Sequence, residues 1–454
     1  MRAVLTLFMK VLLLAAGRSK RLKPIGDKNF LKFFGKPLVG HQIEQLYNAG
    51  LKDLIVVGGK HNLADLKKLA VVIMNDLRRL QIKIVEQKDL DEGMAGAVLA
   101  AEKAIGGEQV FIVSSNDVID PVAYKLVLKA AKDKRPDSLI LGKKVSSYFP
   151  GGYLKIGAGG LIKGIVEKPG EGKEPSKMIN LVLHYHRDAG ALVRELKRTN
   201  SARDDRYEVA LDRLIKAGAK MKTVPYDGFW QPIKYPWHVI TLMNYFLSNL
   251  PKGRSGSRKV EIAKSATIKG NVYLEDGVRI LENAVISGPA YIGKNTIIAT
   301  GALVRGSQIG DNCVIGFGSE VARSYVGDNV WTHTNYIGDS IIGNNCSFGA
   351  GTVTGNLRLD EANISVIING EKIDSGTDKF GLVTGENVRC GINTSFMPGV
   401  KIGNNCFIGA GIIVTKDLED NKYIYGKTEI VVKDNIARAD LKKRKMMKET
   451  LKRS

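Results

Sequence analysis

Residues 11–38, VLLLAAGRSKRLKPIGDKNFLKFFGKPL, pass from an unbroken aliphatic run into a glycine-containing, strongly basic segment. Two readings compete for this start. Arg2, the apolar residues after it and the small residues Ala15, Ala16 and Gly17 have the order of a secretory signal. A signal ends at a cleavage site, whereas here the basic segment runs on into GKPLVGHQIEQLYNAG (35–50), which has the spacing of an amphipathic helix. Leu12, Leu13 and Leu14 are therefore expected in a strand buried on both faces of a parallel sheet. The small-residue turn behind it would expose backbone N–H groups to a phosphate chain. Met9 also has the context of a chain start, which would make residues 1–8 an extension.

The same pattern continues outward from that stretch. DLIVVGG (53–59) and QVFIVSSND (109–117) have the composition of buried strands, and PVAYKLVLKAAKDK (121–134) is amphipathic at helical spacing. Strands alternating with helices predict a mostly parallel, helix-covered sheet over residues 1–250. Ligands of such sheets bind at the carboxyl ends of the strands. PKGRSGSRK (251–259), rich in Gly, Ser and charge, opens an expected linker over 251–261.

From Ile262 the period changes. Aliphatic residues fall at 262, 268, 274, 280, 286, 292, 298 and 304, and the beat resumes after short slips in IGDNCVIGFGSE (309–320), VGDNVW (326–331), IIGNNCSFGAGT (341–352) and IGNNCFIGAGII (402–413). A six-residue period fits neither an α-helix nor an ordinary strand ladder. It fits a parallel β-helix, in which each short strand contributes one inward aliphatic and the turns take Gly, Asn and Asp. This all-β unit is expected over 262–420, with 355–387 thrown out as a loop and 421–454 as a basic tail, helical near its end and either solvated or in contact with an acidic partner.

The 454 residues carry a net charge of +22, which admits nucleic acid, anionic membranes or acidic small substrates as partners. No base-stacking basic patch or nucleic-acid motif accompanies the charge, and no apolar run reaches the roughly 20 residues of a membrane span. A solvated basic surface accounts for most of the excess, and acidic small substrates such as nucleotides also favour positive clefts. The four cysteines, Cys313, Cys346, Cys390 and Cys406, lack partners at metal spacing, and three share the contexts IGDNC or IGNNC. Those three are expected as small inward-facing residues of a repeat, and the protein as cytoplasmic and reduced.

LAAGRSKRLKP, then Lys28, then GKPL (35–38) resemble the signature of the sugar-1-phosphate nucleotidyltransferases. The resemblance implies a Rossmann-like α/β nucleotidyltransferase domain in which Leu14, Ala15, Ala16 and Gly17 cradle the nucleotide. Arg21 and Lys28 would neutralise charge as a sugar phosphate attacks the α-phosphorus. Such transfer depends on positioning and charge stabilisation. In EQKDLDEGMAGAV (86–98) it implies Gln87 and Gly93 at the nucleobase; in SSND, Asp117 on Mg²⁺; and in PGGYLKI, GIVEKPG and KMINLVLHYH, the sugar-binding residues Gly152, Glu167 and Asn180. Met94 and Asn116 depart from the common Thr and Gly. GFWQPIKYPW (228–237) carries Pro232 where a second metal-binding Asp or Asn is usual, leaving Asp227, a backbone carbonyl or the substrate phosphates to complete the metal's shell.

With the hexapeptide repeats, the chain resembles the bifunctional N-acetylglucosamine-1-phosphate uridylyltransferase/glucosamine-1-phosphate acetyltransferase family along nearly its whole length, with a left-handed β-helix. THTNYIGDSIIGNNCSFGAGTVTGNLRLD (332–360) carries the resemblance. It implies His333 as the base that takes a proton from an attacking amine, a task suited to an imidazole near neutral pH. It further implies Arg305, Arg323, Tyr336 and Asn356 around the amino-sugar phosphate, Ala410 against acetyl-CoA, and a homotrimer. Val321-Ala322-Arg323 replaces the family's usual lysine pair. Two other functions stay open: a thymidylyl- or guanylyltransferase of glucose- or mannose-1-phosphate with a structural β-helix, or a catalytically weak nucleotide-sugar-binding regulatory subunit.

Overall fold

The computed structural model describes residues 9–201, 205–427 and 429–452; the proposed extension before Met9 lies outside the described residues. Val11, Leu12, Leu13 and Leu14 are all buried, as the opening aliphatic run requires. Val11 and Leu13 enter one core cluster, while Leu12 and Leu14 enter another on the opposite face of the sheet. The strand Lys10–Leu14 pairs in parallel with Asp53–Gly59 on one side and Val110–Ser114 on the other. Gln81–Gln87 continues the parallel run, and Met178–His186 joins antiparallel to Val110–Ser114. The sheet is thus doubly covered and parallel at its centre, with an antiparallel wing formed by Gly152–Ile156, Ile162–Glu167 and Ser138–Lys144.

The second half is a left-handed β-helix of short strands stacked in parallel. Inward positions repeat from coil to coil, as in the columns Leu274, Ile292, Ile309, Val326 and Ile286, Val304, Val321, Ile337. All these side chains belong to one continuous buried core, to which Cys313, Cys346, Cys390 and Cys406 contribute as free thiols. The turns explain the Gly-Asn/Asp-Asn grammar. A side chain on Gly310 would place its Cβ 2.5 Å from the carbonyl of Gly327 in the next coil. Asn345, Asn387, Asn405 and Asn421 adopt positive φ, tolerated by Asn, and their amides bond one another at 2.7, 2.9 and 3.0 Å up the stack.

Three expectations change. The presumed linker 251–261 is already part of the β-helix: Arg254–Gly256 pairs with Val272–Leu274, and Glu261–Ile262 with Arg279–Ile280. At the far end Tyr423–Ile424 pairs with Phe407–Ile408, so the stack extends into the presumed tail, whose helix Leu441–Leu451 is fully exposed. The 355–387 excursion is not a free loop. It folds as an antiparallel hairpin, Ser365–Ile368 with Glu371–Asp374. Ile364, Val366, Ile368 and Phe380 are buried with Trp237, Leu242 and Tyr325 in a core shared by both halves.

That shared core fixes the β-helix against the signature segment. Phe34 stacks on Tyr291 at 4.9 Å, Gln308 accepts from Phe34 N at 3.1 Å and donates to the Lys32 carbonyl at 2.7 Å, and Lys32 pairs with Asp328 at 2.6 Å. No helix among the described residues is long and apolar enough to cross a membrane.

Candidate active sites

The strand Lys10–Leu14 ends in a turn held from below. Ala15 N donates to Val57 O at 2.8 Å, and the Ala15 carbonyl accepts from Asn29 Nδ2 at 3.0 Å and Asn62 Nδ2 at 2.9 Å. Both amides also reach Asp27, at 2.8 and 2.6 Å, and Asp27 caps the short 3₁₀ turn that begins with Lys28. Lys28 is thereby carried under the signature turn: a Cβ on Gly17 would lie 3.5 Å from Lys28 Nζ and 3.6 Å from Asn116 Oδ1. Burial lowers the Lys28 ammonium to about 8, with Asp27 and Asp117 opposing the shift. Arg21 is exposed at the rim, its guanidinium 5.6 Å from the Tyr235 ring centre.

Asp117 does not sit at the end of the central strand Val110–Ser114. It opens a separate short strand, Asp117–Ile119, antiparallel to Trp230–Pro232. Its carboxylate accepts from Trp230 Nε1 at 3.1 Å. Burial pushes its pKa up, against the stabilising influence of Trp230, Lys234 and Lys28. Asp227 lies exposed in the loop before Trp230.

Lys234 is the cation that sequence reasoning missed. Its ammonium donates to the Pro150 carbonyl at 3.1 Å over the Phe149 ring at 4.0 Å, and burial lowers it to about 8 in the field of Asp117, Arg21 and Glu167. The only sequence signal was a lysine two residues beyond the anomalous Pro232. Among the described residues no group of three or more His, Cys, Asp or Glu could hold a metal by itself. Mg²⁺ commonly binds through one or two carboxylates plus substrate phosphates, and the half-buried Asp117 carboxylate fits that mode with one protein ligand.

Gln87 is buried, and its amide NH₂ donates to the carbonyls of Asp89 and Gly93 at 2.8 and 2.9 Å, so it also shapes the loop expected at the base. The three sugar-site candidates converge. Gly152 pairs with Glu167 across the wing, and a Cβ on Gly152 would lie 3.1 Å from Glu167 Oε2 and 3.5 Å from Asn180 Nδ2.

In the β-helix, Arg305 and Arg323 each already face a carboxylate. Arg305 Nε lies 2.7 Å from Glu320, and Arg323 makes a two-pronged pair with Asp339 at 2.6 and 2.6 Å. Asn356 bonds Asp339 and donates to the Tyr336 hydroxyl at 3.3 Å. Glu320 and Tyr336 are register partners on adjacent coils, which gathers these four expected residues into one cluster. His333 stands exposed on the turn before Tyr336, its backbone N–H bonded to Asn335 Oδ1 at 2.6 Å. The bonds Gly351 N to Thr334 O, Asn393 N to Ala350 O and Gly411 N to Ile392 O, each 2.9 Å, stack the turns of His333, Ala350, Ile392 and Ala410 along one edge. His333 and Ala410 are thus three coils apart on that edge, about 14 Å at the usual strand spacing.

A nucleotidyltransferase sheet fused to a hexapeptide-repeat transferase is the class this architecture defines: residues 10–233 match the nucleotidyl transferase family, 271–306 the bacterial transferase hexapeptide (six repeats) and 382–416 the hexapeptide repeat of succinyl-transferase. The chain is 32% identical to the bifunctional protein GlmU of Methanococcus vannielii, over 94% of this chain and 99% of that protein. It is 31% identical to the protein of the same name from Methanocaldococcus jannaschii (93% and 99%) and to a bifunctional sugar-1-phosphate nucleotidylyltransferase/acetyltransferase of Sulfurisphaera tokodaii (90% and 98%). The chain belongs to this family of bifunctional transferases.

Proposed function

We propose that the first half transfers a uridylyl group from UTP to N-acetylglucosamine-1-phosphate, releasing pyrophosphate, and that the second half acetylates the amine of glucosamine-1-phosphate from acetyl-CoA. The observation that carries the first reading is the buried Lys28 ammonium set against Gly17 beneath the small-residue turn. A sugar-phosphate oxygen attacks the α-phosphorus, pyrophosphate leaves, and Lys28, Arg21 and Lys234 offset the charge that builds up. The backbone of Leu14 to Gly17 holds the phosphates, Gln87 Oε1 and Gly93 meet the base, and Gly152, Glu167 and Asn180 meet the sugar. Asp117 would hold a Mg²⁺ together with the nucleotide, and the ion would supply further charge neutralisation.

In the second half His333 takes the proton from the amine while Arg305, Arg323, Tyr336 and Asn356 hold the acceptor. The phosphate must then compete with Glu320 and Asp339 for the two guanidiniums. Ala410 packs against acetyl-CoA on the His333 edge, and a homotrimer would enclose the coenzyme between neighbouring β-helices. The exposed Phe317, Trp331, Ile392 and Phe407 near that edge support such a covering. Four buried free thiols agree with a reducing cytoplasm.

Purified protein assayed for pyrophosphate release across a panel of nucleoside triphosphates and sugar-1-phosphates tests the reading. UTP with N-acetylglucosamine-1-phosphate should give the highest kcat/KM. A higher value for dTTP or GTP with an unacetylated hexose-1-phosphate would overturn it.

A further inference from the structure

Behind the sugar site lies a continuous chain of buried polar groups that the proposed chemistry does not use. Ser138, His184, His186 and Tyr207 are all buried. His184 and His186 project from the same face of the strand Met178–His186, and Tyr207, from the helix Arg206–Lys216, lies between their rings. Ser138 Oγ lies 2.8 Å from His186 Nδ1, and His186 Nε2 lies 3.1 Å from the Tyr207 hydroxyl. The hydroxyl is in turn 2.9 Å from His184 Nδ1, and His184 Nε2 is 2.6 Å from Asn180 Oδ1.

The order of protons in this chain follows from one placement, the Asn180 amide with its Oδ1 turned toward His184. Burial holds His184 well below its ordinary pKa and His186 at about 4, so both rings are neutral at pH 7, each with one donor and one acceptor nitrogen. The Asn180 oxygen can only accept, so His184 carries its proton on Nε2 and accepts at Nδ1. Tyr207 therefore donates to His184 and must accept from His186 Nε2–H. His186 Nδ1 is left to accept the Ser138 hydroxyl proton. Each group has one role, and every bond in the series runs toward Asn180.

We infer that His184, set by Tyr207, His186 and Ser138, is a positioning residue that locks the Asn180 side chain with its NH₂ turned into the sugar pocket. The orientation agrees with the neighbourhood, since Asn180 Nδ2 and Glu167 Oε2 both border the space beside Gly152, a donor next to an acceptor. A fixed NH₂ selects a sugar-1-phosphate that presents an acceptor oxygen, from its hydroxyl, acyl or phosphate group. Were the relay reversed, the amide would present its oxygen and select a donor.

The proposal rests on the sugar-site reading of Asn180, and the test separates the two. In full-length protein, Tyr207→Phe removes the hydroxyl that links His184 to His186 while keeping the ring. The expected result is a KM for the sugar-1-phosphate raised by roughly tenfold, the scale of one misdirected hydrogen bond, with kcat and the KM for the nucleotide within about twofold. Unchanged sugar KM in Tyr207→Phe, alongside a raised one in Asn180→Ala, overturns the positioning role. Unchanged sugar KM in Asn180→Ala overturns the sugar-site reading and this proposal with it. Long-range ¹H–¹⁵N spectra of the unmodified protein, with the His184 signals assigned by His184→Gln, need no variant at Tyr207 to fold. They should show His184 protonated on Nε2; protonation on Nδ1 overturns the relay.

Discussion

Pro232 faces Asp117 across the short antiparallel pairing of Trp230–Pro232 with Asp117–Ile119. The position best placed to supply a second carboxylate therefore has no side-chain oxygen, and Lys234 approaches the same carboxylate from two residues further on. A Mg²⁺ bound there, as proposed, would have one protein carboxylate and would draw its other ligands from phosphate oxygens and water.

Pro232→Asp should restore a second ligand and lower the free Mg²⁺ needed for half-maximal nucleotidyl transfer. Roughly tenfold corresponds to about 1.4 kcal/mol of added binding. A Mg²⁺ titration of pyrophosphate release at saturating substrates measures it. An unchanged midpoint would show that the shell is already complete without residue 232.

Lys28→Ala should leave the fold intact and reduce nucleotidyl transfer by about 10²–10³, the scale of one lost charge-stabilising contact. The wild-type pH profile offers an independent check. With Lys28 near 8 in place of its ordinary 10.5, kcat/KM for the nucleotide should fall as pH rises through about 8 and the ammonium is lost. The stability contribution of this group has the opposite sign: its charged form is disfavoured by folding, so that penalty is relieved as pH rises from about 8 toward 10.5. Activity falling while the protein remains folded, followed by circular dichroism, separates titration of the site from unfolding.

His333→Ala should reduce acetyl transfer by about 10²–10⁴ while leaving uridylyl transfer to N-acetylglucosamine-1-phosphate unchanged. His333 lies on an exposed turn, whereas the β-helix meets the first half through Tyr291, Gln308 and Tyr325. Its loss should not disturb the inward column Val321–Ile337. CoA release and pyrophosphate release, measured on one preparation, decide the matter; equal damage to both would make His333 structural.

Gln308→Ala should destabilise the protein by about 1–3 kcal/mol, because it leaves the Phe34 N–H and the Lys32 carbonyl without the partners they now have. Because this contact lies in the segment that also carries Lys28, nucleotidyl transfer should suffer more than acetyl transfer. Thermal unfolding together with both activity assays measures the effect.

Much of this architecture was legible in the chain itself, because it arises from short-range pattern. An aliphatic run followed by small residues forces a buried strand and a tight turn, as Leu12 to Gly17 demonstrate. A six-residue beat permits one solution, the coil, and with it inward cysteines and left-handed asparagines. What only the tertiary structure decided depends on residues far apart in sequence. The charge and length of 251–261 suggested a linker, but backbone pairing with the next coil claims its strands. The hairpin at 365–374 takes its place from an apolar face that Trp237 and Leu242 present across more than a hundred residues. Lys234 is set in the field of Asp117, and His184 between Tyr207 and Asn180, only by the fold. A side chain's burial and partners are set by the fold, and neither period nor motif encodes them.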